Sequence, residues 1–144
     1  MRPPSASSGS SGGGSESGVE RLINAAKKND VKRIVEEIKS GVDVNSRWGQ
    51  YRKTALHFAA EKDHGESVKV LLESRADIEA RSSDDSTPLI YAAWKGSNEA
   101  LKLLINAGAD REAKNEGGFT ALIVAAQDGK NEALKMLLDA GADF

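Results

Sequence analysis

Cysteine is absent from the 144 residues, and histidine occurs only twice, at positions 57 and 64. The lack of cysteine excludes disulfide bonds, thiolate metal ligands and a thiol nucleophile. It is compatible with a reducing compartment such as the cytoplasm or nucleus, without identifying one. Two histidines do not supply the several closely spaced ligands of a zinc site. Asp63, His64 and Ser67 resemble a hydrolase triad in composition alone, so we predict no metal, no cofactor and no enzymatic activity.

The sequence also lacks a large excess of charge of either sign, and it contains no long apolar run. Lys and Arg number 20 and Asp and Glu 22, which leaves a formal net charge of −2. A nucleic-acid-binding domain usually carries a basic excess, so nucleic acid is a disfavoured partner. No apolar run approaches the ~18 residues that a membrane-spanning helix needs. We therefore expect a soluble protein that does not bind a membrane.

What the sequence does contain is a repeated phrase. Runs that open with Thr, continue through Leu and close on two Ala begin at residues 54, 87 and 120, with a constant spacing of 33. Gly-Ala-Asp at residues 108–110 and 141–143 keeps the same spacing, and residues 75–77 are a divergent copy. Self-similarity at this period is typical of proteins built from stacked repeats.

The opening at residues 87–93, the Gly or polar residue three positions after the second Ala, and the Gly-Ala-Asp ending resemble ankyrin repeats over about residues 19–144. Three copies in register are far more specific than one short motif. The resemblance implies an all-α repeat solenoid of stacked helix–turn–helix units with β-hairpin loops. The sequence departs from the family pattern in places, since His57 is the only His, and Pro88 the only Pro, at their positions of the motif. The resemblance implies that His57 forms hydrogen bonds within its motif, and we expect His64 to cap a turn.

Composition divides the chain into a tail and a repeat domain. Residues 1–18 are dominated by Ser and Gly and are predicted to be disordered, because they cannot bury enough apolar surface to offset their ordering entropy. Residues 19–45 are predicted to form an N-terminal capping repeat, followed by full repeats at 46–78, 79–111 and 112–144. The capping repeat carries Glu37 on its apolar stripe, which fits a terminal unit with one face in water.

Local signals predict where the helices begin and end. A Thr residue precedes the first helix of each full repeat and is predicted to cap it. A Gly or a small polar residue follows each first helix and is predicted to end it in a left-handed conformation. The second helices carry apolar residues at i, i+3 and i+4, which predicts one buried stripe. The loop between Asn45 and Thr54 is one residue longer than its later counterparts, so the first hairpin is predicted to differ.

Aromatic residues are scarce, at 5% of the chain, and none lies on the Leu/Ile stripes. The ankyrin resemblance implies that the hairpins and the positions flanking Ala-Ala face a concave groove. Rings in such places are typical interface anchors, although they could instead only cover neighbouring repeats. With the nearby charges, they form the predicted partner-binding set: Arg47, Trp48, Tyr51, Arg52, Lys53, Phe58, Arg81, Asp84, Asp85, Tyr91, Trp94, Lys95 and Phe119.

These features predict a non-catalytic module that binds a partner protein or peptide through its groove and hairpin tips, and we expect it to be a monomer. The expected partner is an extended peptide or a folded surface with acidic and apolar groups, and the mixed sign of the charges on the rim leaves the choice between them open. An alternative is a regulatory or targeting segment of a larger protein. It is favoured by Leu134, Leu137 and Leu138, which keep the internal pattern up to the last repeat, so that further repeats or a partner would cover this face.

Overall fold

The computed structural model describes residues 17–142, and within them the chain forms four consecutive helix pairs. The first helices are α1 (Gly18–Lys27), α3 (Ala55–Glu61), α5 (Pro88–Lys95) and α7 (Ala121–Gln127). The second helices are α2 (Val31–Lys39), α4 (Gly65–Glu73), α6 (Asn98–Asn106) and α8 (Asn131–Asp139). Each first helix packs against the next first helix, and the second helices form their own row. The predicted all-α solenoid is confirmed.

Ser17, the first residue that the structure describes, caps α1. The Ser17 hydroxyl accepts a hydrogen bond from the backbone N–H of Glu20, and the Glu20 carboxylate accepts from the N–H of Ser17 in return. This capping box satisfies two backbone donors of the first turn. Ser17 and Gly18, which were predicted to belong to the disordered tail, are therefore part of the helical domain. The rest of the predicted disordered tail, residues 1–16, lies outside the described residues, as do Asp143 and Phe144.

The helix ends follow the local signals. The hydroxyls of Thr54, Thr87 and Thr120 each accept from the backbone N–H three residues on, at the start of α3, α5 and α7. The residues after the first helices have positive φ angles, as predicted: Asn29 58°, Asp63 60°, Gly96 70° and Gly129 68°. Gly adopts this conformation readily, and Asn and Asp tolerate it better than other residues.

Aliphatic side chains hold the layers together. On the second helices, Val68, Leu71, Leu101, Leu104 and Leu137 are fully buried. The paired Ala residues of α1, α3 and α5 are also buried, because their small side chains let neighbouring helices approach closely. The core is therefore a continuous stripe of small and branched apolar groups that runs through all four repeats.

Glu37 corrects one expectation from the sequence. Its side chain does not face water but is buried among the residues of the capping repeat. Its carboxylate lies 3.0 Å from Arg21 Nε and 3.4 Å from Arg33 Nη1. The two half-exposed guanidinium groups cover the carboxylate and pair with its charge. A buried Glu is therefore tolerated at a position where later repeats carry Leu. The outer face of the first repeat is thus closed by an ion-pair cluster rather than by a hydrated carboxylate.

The hairpins between repeats are turns, and no strand occurs within residues 17–142. In the first hairpin (residues 45–53), Trp48 and Lys53 exchange backbone hydrogen bonds of 2.9 and 3.2 Å. In the second (79–86) and third (112–119), the N–H of residue 82 or 115 donates instead to the carbonyl four residues on. The first hairpin therefore closes a loop one residue longer, as predicted.

Candidate partner-binding groove

The first helices and the hairpins enclose a cavity of about 560 Å³ that spans the second, third and fourth repeats; we call it the groove cavity. Adjacent hairpins are joined above it by backbone bonds, from Ser83 N–H to the Tyr51 carbonyl and from Glu116 N–H to the Asp84 carbonyl. Its lining residues are Tyr51, Lys53, Glu61, Ser83, Asp84, Ser86, Ile90, Tyr91, Trp94, Asn115, Phe119, Val124, Gln127 and Asp128.

Three predicted aromatic residues line this cavity with accessible rings. Tyr51 is 58% exposed, Trp94 44% and Phe119 38%. They come from three different elements: the first hairpin, the end of α5 and the third hairpin. Large rings that remain in water around one concavity are unusual for a protein that only needs to cover its own core.

Tyr91 behaves differently from the expectation that it is an exposed anchor. Its side chain is only 9% exposed, and its ring packs edge-on against His57 with centroids 5.3 Å apart. The phenol hydroxyl donates to Ser82 Oγ over 3.2 Å, and burial raises the pKa of this phenol. Tyr91 therefore forms the floor of the cavity and supports Trp94, whose ring centroid is 6.2 Å away.

Trp48 and Phe58 form a separate cluster that does not line the groove cavity. Both rings are half-buried, in an edge-on arrangement with centroids 6.2 Å apart. The ammonium group of Lys27 lies 4.4 Å from the Trp48 ring and 4.9 Å from the Phe58 ring. Burial, together with the nearby charges of Lys62 and Lys53, lowers the pKa of Lys27. This basic aromatic cluster occupies the opposite, N-terminal end of the groove.

Lysines and one glutamate cross-link the groove floor. The Lys53 ammonium is buried, pairs with the Glu61 carboxylate and lies over the rings of Phe58 and Tyr91. The Lys95 ammonium lies 4.0 Å from the other Glu61 oxygen and 4.5 Å from the centroid of the Trp94 ring. Because Glu61 binds both lysines, neither ammonium is a free cation on the rim.

Two of the arginines predicted to contact a partner form hydrogen bonds within the protein instead. Arg47 Nη1 donates to the Arg81 carbonyl, and Arg81 Nη1 donates to the Lys114 carbonyl over 2.7 Å. Each guanidinium thus fastens its hairpin to the next one. Arg52 and Asp85 are exposed at hairpin tips with positive φ angles, and neither lines the groove cavity.

Asp84 and Asp128 supply the remaining charge of the cavity wall. Asp84 Oδ1 accepts from Ser82 Oγ at 2.7 Å and from the Ser86 N–H at 3.2 Å. Burial alone would raise the pKa of this carboxyl, but the hydrogen bonds from Ser82 and Ser86 outweigh it and hold the pKa below its ordinary value. Asp128 is exposed at the end of α7. Asp84 is therefore a carboxylate at neutral pH.

The two histidines have structural roles. His57 is fully buried; its Nδ1 accepts from the Thr54 N–H, and its Nε2 donates to the Ser86 carbonyl over 2.9 Å. The predicted hydrogen bonding of His57 within its motif is thus confirmed. His64 makes no capping hydrogen bond at the start of α4, contrary to the expectation that it caps a turn. Its Nε2 instead donates to the Lys27 carbonyl, 3.0 Å away in the preceding repeat.

Sequence reasoning missed most of the polar lining because it selected aromatic residues and only the charged residues near them. Glu61 and Gln127 occupy the same position of the repeat as Trp94, each directly after its Ala-Ala pair. Asp128 occupies the position of Lys95. Reading every residue type at these two positions, in all copies, would have placed all three at the groove.

Within residues 17–142, no group of three or more His, Asp or Glu side chains is arranged to hold a metal ion. Among the helices of that same part of the chain, none is long and apolar enough to cross a lipid bilayer.

Comparison with known proteins identifies the repeats. A family model described as ankyrin repeats (3 copies) matches residues 22–115 and 79–144. Ankyrin repeat domain-containing protein 40 of Mus musculus is 39% identical over 70 residues, which are 49% of this chain and 19% of that protein. The BTB/POZ domain and ankyrin repeat-containing protein NH5.2 of Oryza sativa subsp. japonica is 41% identical over 71 residues, 49% of this chain and 14% of that protein. The E3 ubiquitin-protein ligase XBAT32 of Arabidopsis thaliana is 38% identical over 87 residues, 57% of this chain and 16% of that protein.

The chain spans less than a fifth of the length of each of these relatives. Their similarity to it therefore concerns the repeats, which are generally protein–protein interaction modules and typically non-catalytic. The family match extends over almost the whole described chain and agrees with the helix pairs, their Thr caps and their left-handed ends. The chain belongs to the ankyrin repeat family.

Proposed function

We propose that this chain is a non-catalytic interaction module that holds a partner protein or peptide in the groove cavity. The observation that carries the proposal is the convergence of three exposed rings, Tyr51, Trp94 and Phe119, on one concavity of about 560 Å³. Aromatic side chains in such positions dominate the binding energy of many interfaces, because a partner can remove their whole accessible surface from water.

The groove floor also supports binding because it is already ordered. Tyr91 holds Trp94 from below, and the links from Glu61 to Lys53 and Lys95 fix neighbouring side chains of two repeats. A partner that docks here does not have to order these side chains, and less of the interaction energy is lost to conformational entropy. The contact set that we propose is therefore centred on Tyr51, Trp94 and Phe119, with the other predicted residues as support or rim.

The test is a double substitution, Trp94→Ala with Phe119→Ala. Both rings are exposed, so we expect the melting temperature to change little. A partner recovered from a lysate by affinity capture should bind the variant more weakly by about 2 kcal/mol or more. The matched control is Leu138→Ala, which removes an exposed apolar side chain from α8, away from the cavity. Equal capture by the wild type and the double variant would contradict the proposal.

A second candidate is a regulatory or targeting segment within a larger protein. One observation favours it: Ile123 and Leu138 are exposed on the last repeat. In the second and third repeats, the position of Ile123 is held by His57 and Ile90, and both of these residues are buried. The relatives are several times longer than the region they share with this chain. Sequencing the transcript that encodes this chain tests the candidate, and a reading frame without any further domain or repeat would contradict it.

A further inference from the structure

Charge is distributed unevenly along the groove. The lining of the groove cavity contains three carboxylates, those of Glu61, Asp84 and Asp128, and a single ammonium group, that of Lys53. The basic aromatic cluster of Lys27, Trp48 and Phe58 lies outside this cavity, at the N-terminal end. The cavity itself therefore has an excess of negative charge, although the protein as a whole is almost neutral.

The lysines nearest to the cavity are already paired with Glu61. Lys53 forms an ion pair with one oxygen of this carboxylate, and the Lys95 ammonium lies 4.0 Å from the other. Both ammonium groups also lie over rings, at 4.5 Å from the centroids of Tyr91 and Trp94 respectively. Lys95 is thus directed towards the second repeat. The positive charge of these lysines is used to neutralise Glu61.

Asp84 and Asp128 remain without a cationic partner within residues 17–142. The hydrogen bonds that Asp84 accepts from Ser82 and Ser86 are to neutral donors, so they orient its charge without cancelling it. Asp128 occupies the repeat position that holds Lys62 in the second repeat and Lys95 in the third. The fourth repeat thus carries a negative charge where the preceding two carry a positive one.

The surroundings of these two carboxylates suit one kind of side chain. Trp94 and Phe119 have exposed rings, and they line the same cavity as Asp84 and Asp128. Arginine and lysine combine an apolar stem with a cationic end, and both bind favourably to ring faces and to carboxylates. Acidic groups of a partner, which the sequence favoured, would meet like charge at this end of the groove.

We propose that the groove cavity binds an arginine or lysine side chain from an extended segment of a partner protein, with the cationic group between Asp84 and Asp128 and the stem against Trp94 and Phe119. This inference rests on the proposed function and specifies the chemistry of the partner. The segment is extended because the residues that line the cavity come from three consecutive repeats.

The experiment uses a random peptide library displayed on phage and selected on the wild-type chain. Dissociation constants of the selected peptides are then measured against three double variants. Asp84→Asn with Asp128→Asn removes both charges, and the amide introduced at position 84 would keep an oxygen to accept from Ser82 and Ser86. Trp94→Ala with Phe119→Ala removes the rings. Glu132→Gln with Asp139→Asn is the control, since it changes the net charge equally on α8, outside the cavity.

We expect the selected peptides to contain Arg or Lys and to bind the Asp84/Asp128 variant at least about tenfold more weakly, because the hydrogen bonds of the cationic group are then made to neutral instead of charged acceptors. The control should bind them as the wild type does. Peptides that lack basic residues, or that bind the Asp84/Asp128 variant equally well, overturn the inference. If binding is still lost with the ring variant, the proposed function stands. A library that yields no peptide dependent on the rings contradicts both.

Discussion

At the scale of single residues, His57 has the most specialised environment. Later repeats carry Ile90 and Ile123 at its position, and an imidazole there must have both nitrogens satisfied without access to water. Nδ1 accepts from the Thr54 N–H, so the proton is on Nε2, where it reaches the Ser86 carbonyl of the next hairpin. If Nδ1 were protonated, its N–H would face the N–H of Thr54, and two donors would be in contact without an acceptor. The neutral ring therefore joins the second repeat to the third.

This environment makes stability depend on pH. Burial above all lowers the pKa of His57 from 6.5 to about 4, and the charges of Lys53 and Arg47 add to the effect. Between these values the unfolded chain binds more protons than the folded one, so the free energy of unfolding falls as the pH is lowered from about 6.5 to about 4. The full effect is about 3 kcal/mol. Urea unfolding measured across this pH range checks the prediction.

The carboxylates also titrate at low pH, so the prediction needs matched variants. His57→Ile introduces the residue found in the later repeats, and we expect a weaker fall in the free energy of unfolding between pH 6.5 and 4. His64→Gln controls for the other histidine and should keep the wild-type dependence. A His57→Ile protein with the same pH dependence as the wild type would show that this ring is not the group responsible.

The residues that sequence reasoning placed less well are those whose surroundings come from another repeat. Tyr91 follows the aromatic pattern of the groove, but its exposure is set by His57 and Ser82. Arg47 looks like a free rim cation, yet its guanidinium reaches a carbonyl of the next hairpin. Burial and pairing of this kind depend on the offset between repeats, which the residue types do not encode locally.

At the scale of secondary-structure elements, α6 is capped by a residue of the preceding repeat. Its N-cap residue, Ser97, makes no capping hydrogen bond within the helix, and its hydroxyl donates to the Glu61 carbonyl instead. The free N–H of Ala100 in the first turn donates to the Asp63 carboxylate over 2.9 Å. Asp63, which ends the turn after α3 with a φ of 60°, thus caps a helix of the following repeat. A negative charge there also suits the helix dipole.

A graded series of substitutions at Asp63 tests this cap. Asp63→Asn keeps an acceptor and tolerates the positive φ, so we expect a change within about 0.5 kcal/mol. Asp63→Gly loses only the acceptor, at about 1 kcal/mol. Asp63→Ala loses the acceptor and adds backbone strain, for a total of about 2 kcal/mol. Denaturant unfolding gives the order, and an alanine variant as stable as the asparagine variant would contradict the capping role.

Elements were the level at which the sequence was most informative. The Thr caps, the left-handed helix ends and the longer first hairpin are each specified by residues within a few positions of one another, and all were predicted correctly. The Asp63 cap was missed because its partner is 37 residues away in the sequence. Asp63 itself was recognised only as a substitute for Gly at a turn.

At the scale of the whole molecule, the two ends of the solenoid are unlike. The first repeat closes its face with the ion pairs of Glu37. On the last repeat, Ala126 and Ile123 are exposed, although their counterparts in the preceding repeats are buried. Stability in such arrays is roughly the sum of the repeats and of the interfaces between them. An interface added at the fourth repeat should therefore stabilise the whole described chain.

We predict that fusing a capping repeat with a polar outer face to the C-terminal end raises the melting temperature. Each kcal/mol gained at the new interface should add about 4 °C in a domain of this size. Differential scanning calorimetry of the extended and original proteins provides the measurement. The control extension carries Glu in place of the Leu residues that face α7 and α8, and it should give no increase. An unchanged melting temperature with the apolar cap would show that this face gains nothing from being covered.

The extra residue of the first hairpin has a consequence for how a partner aligns with the groove. An array of identical units would offer the same site again after every 33 residues, and a long ligand could shift by one unit and bind almost as well. Here the turn closed by Trp48 and Lys53 differs in length from the turns at residues 82–86 and 115–119. A ligand that fits all three turns in one alignment meets a mismatched turn in any other, so the asymmetry of a single loop fixes its position along the protein.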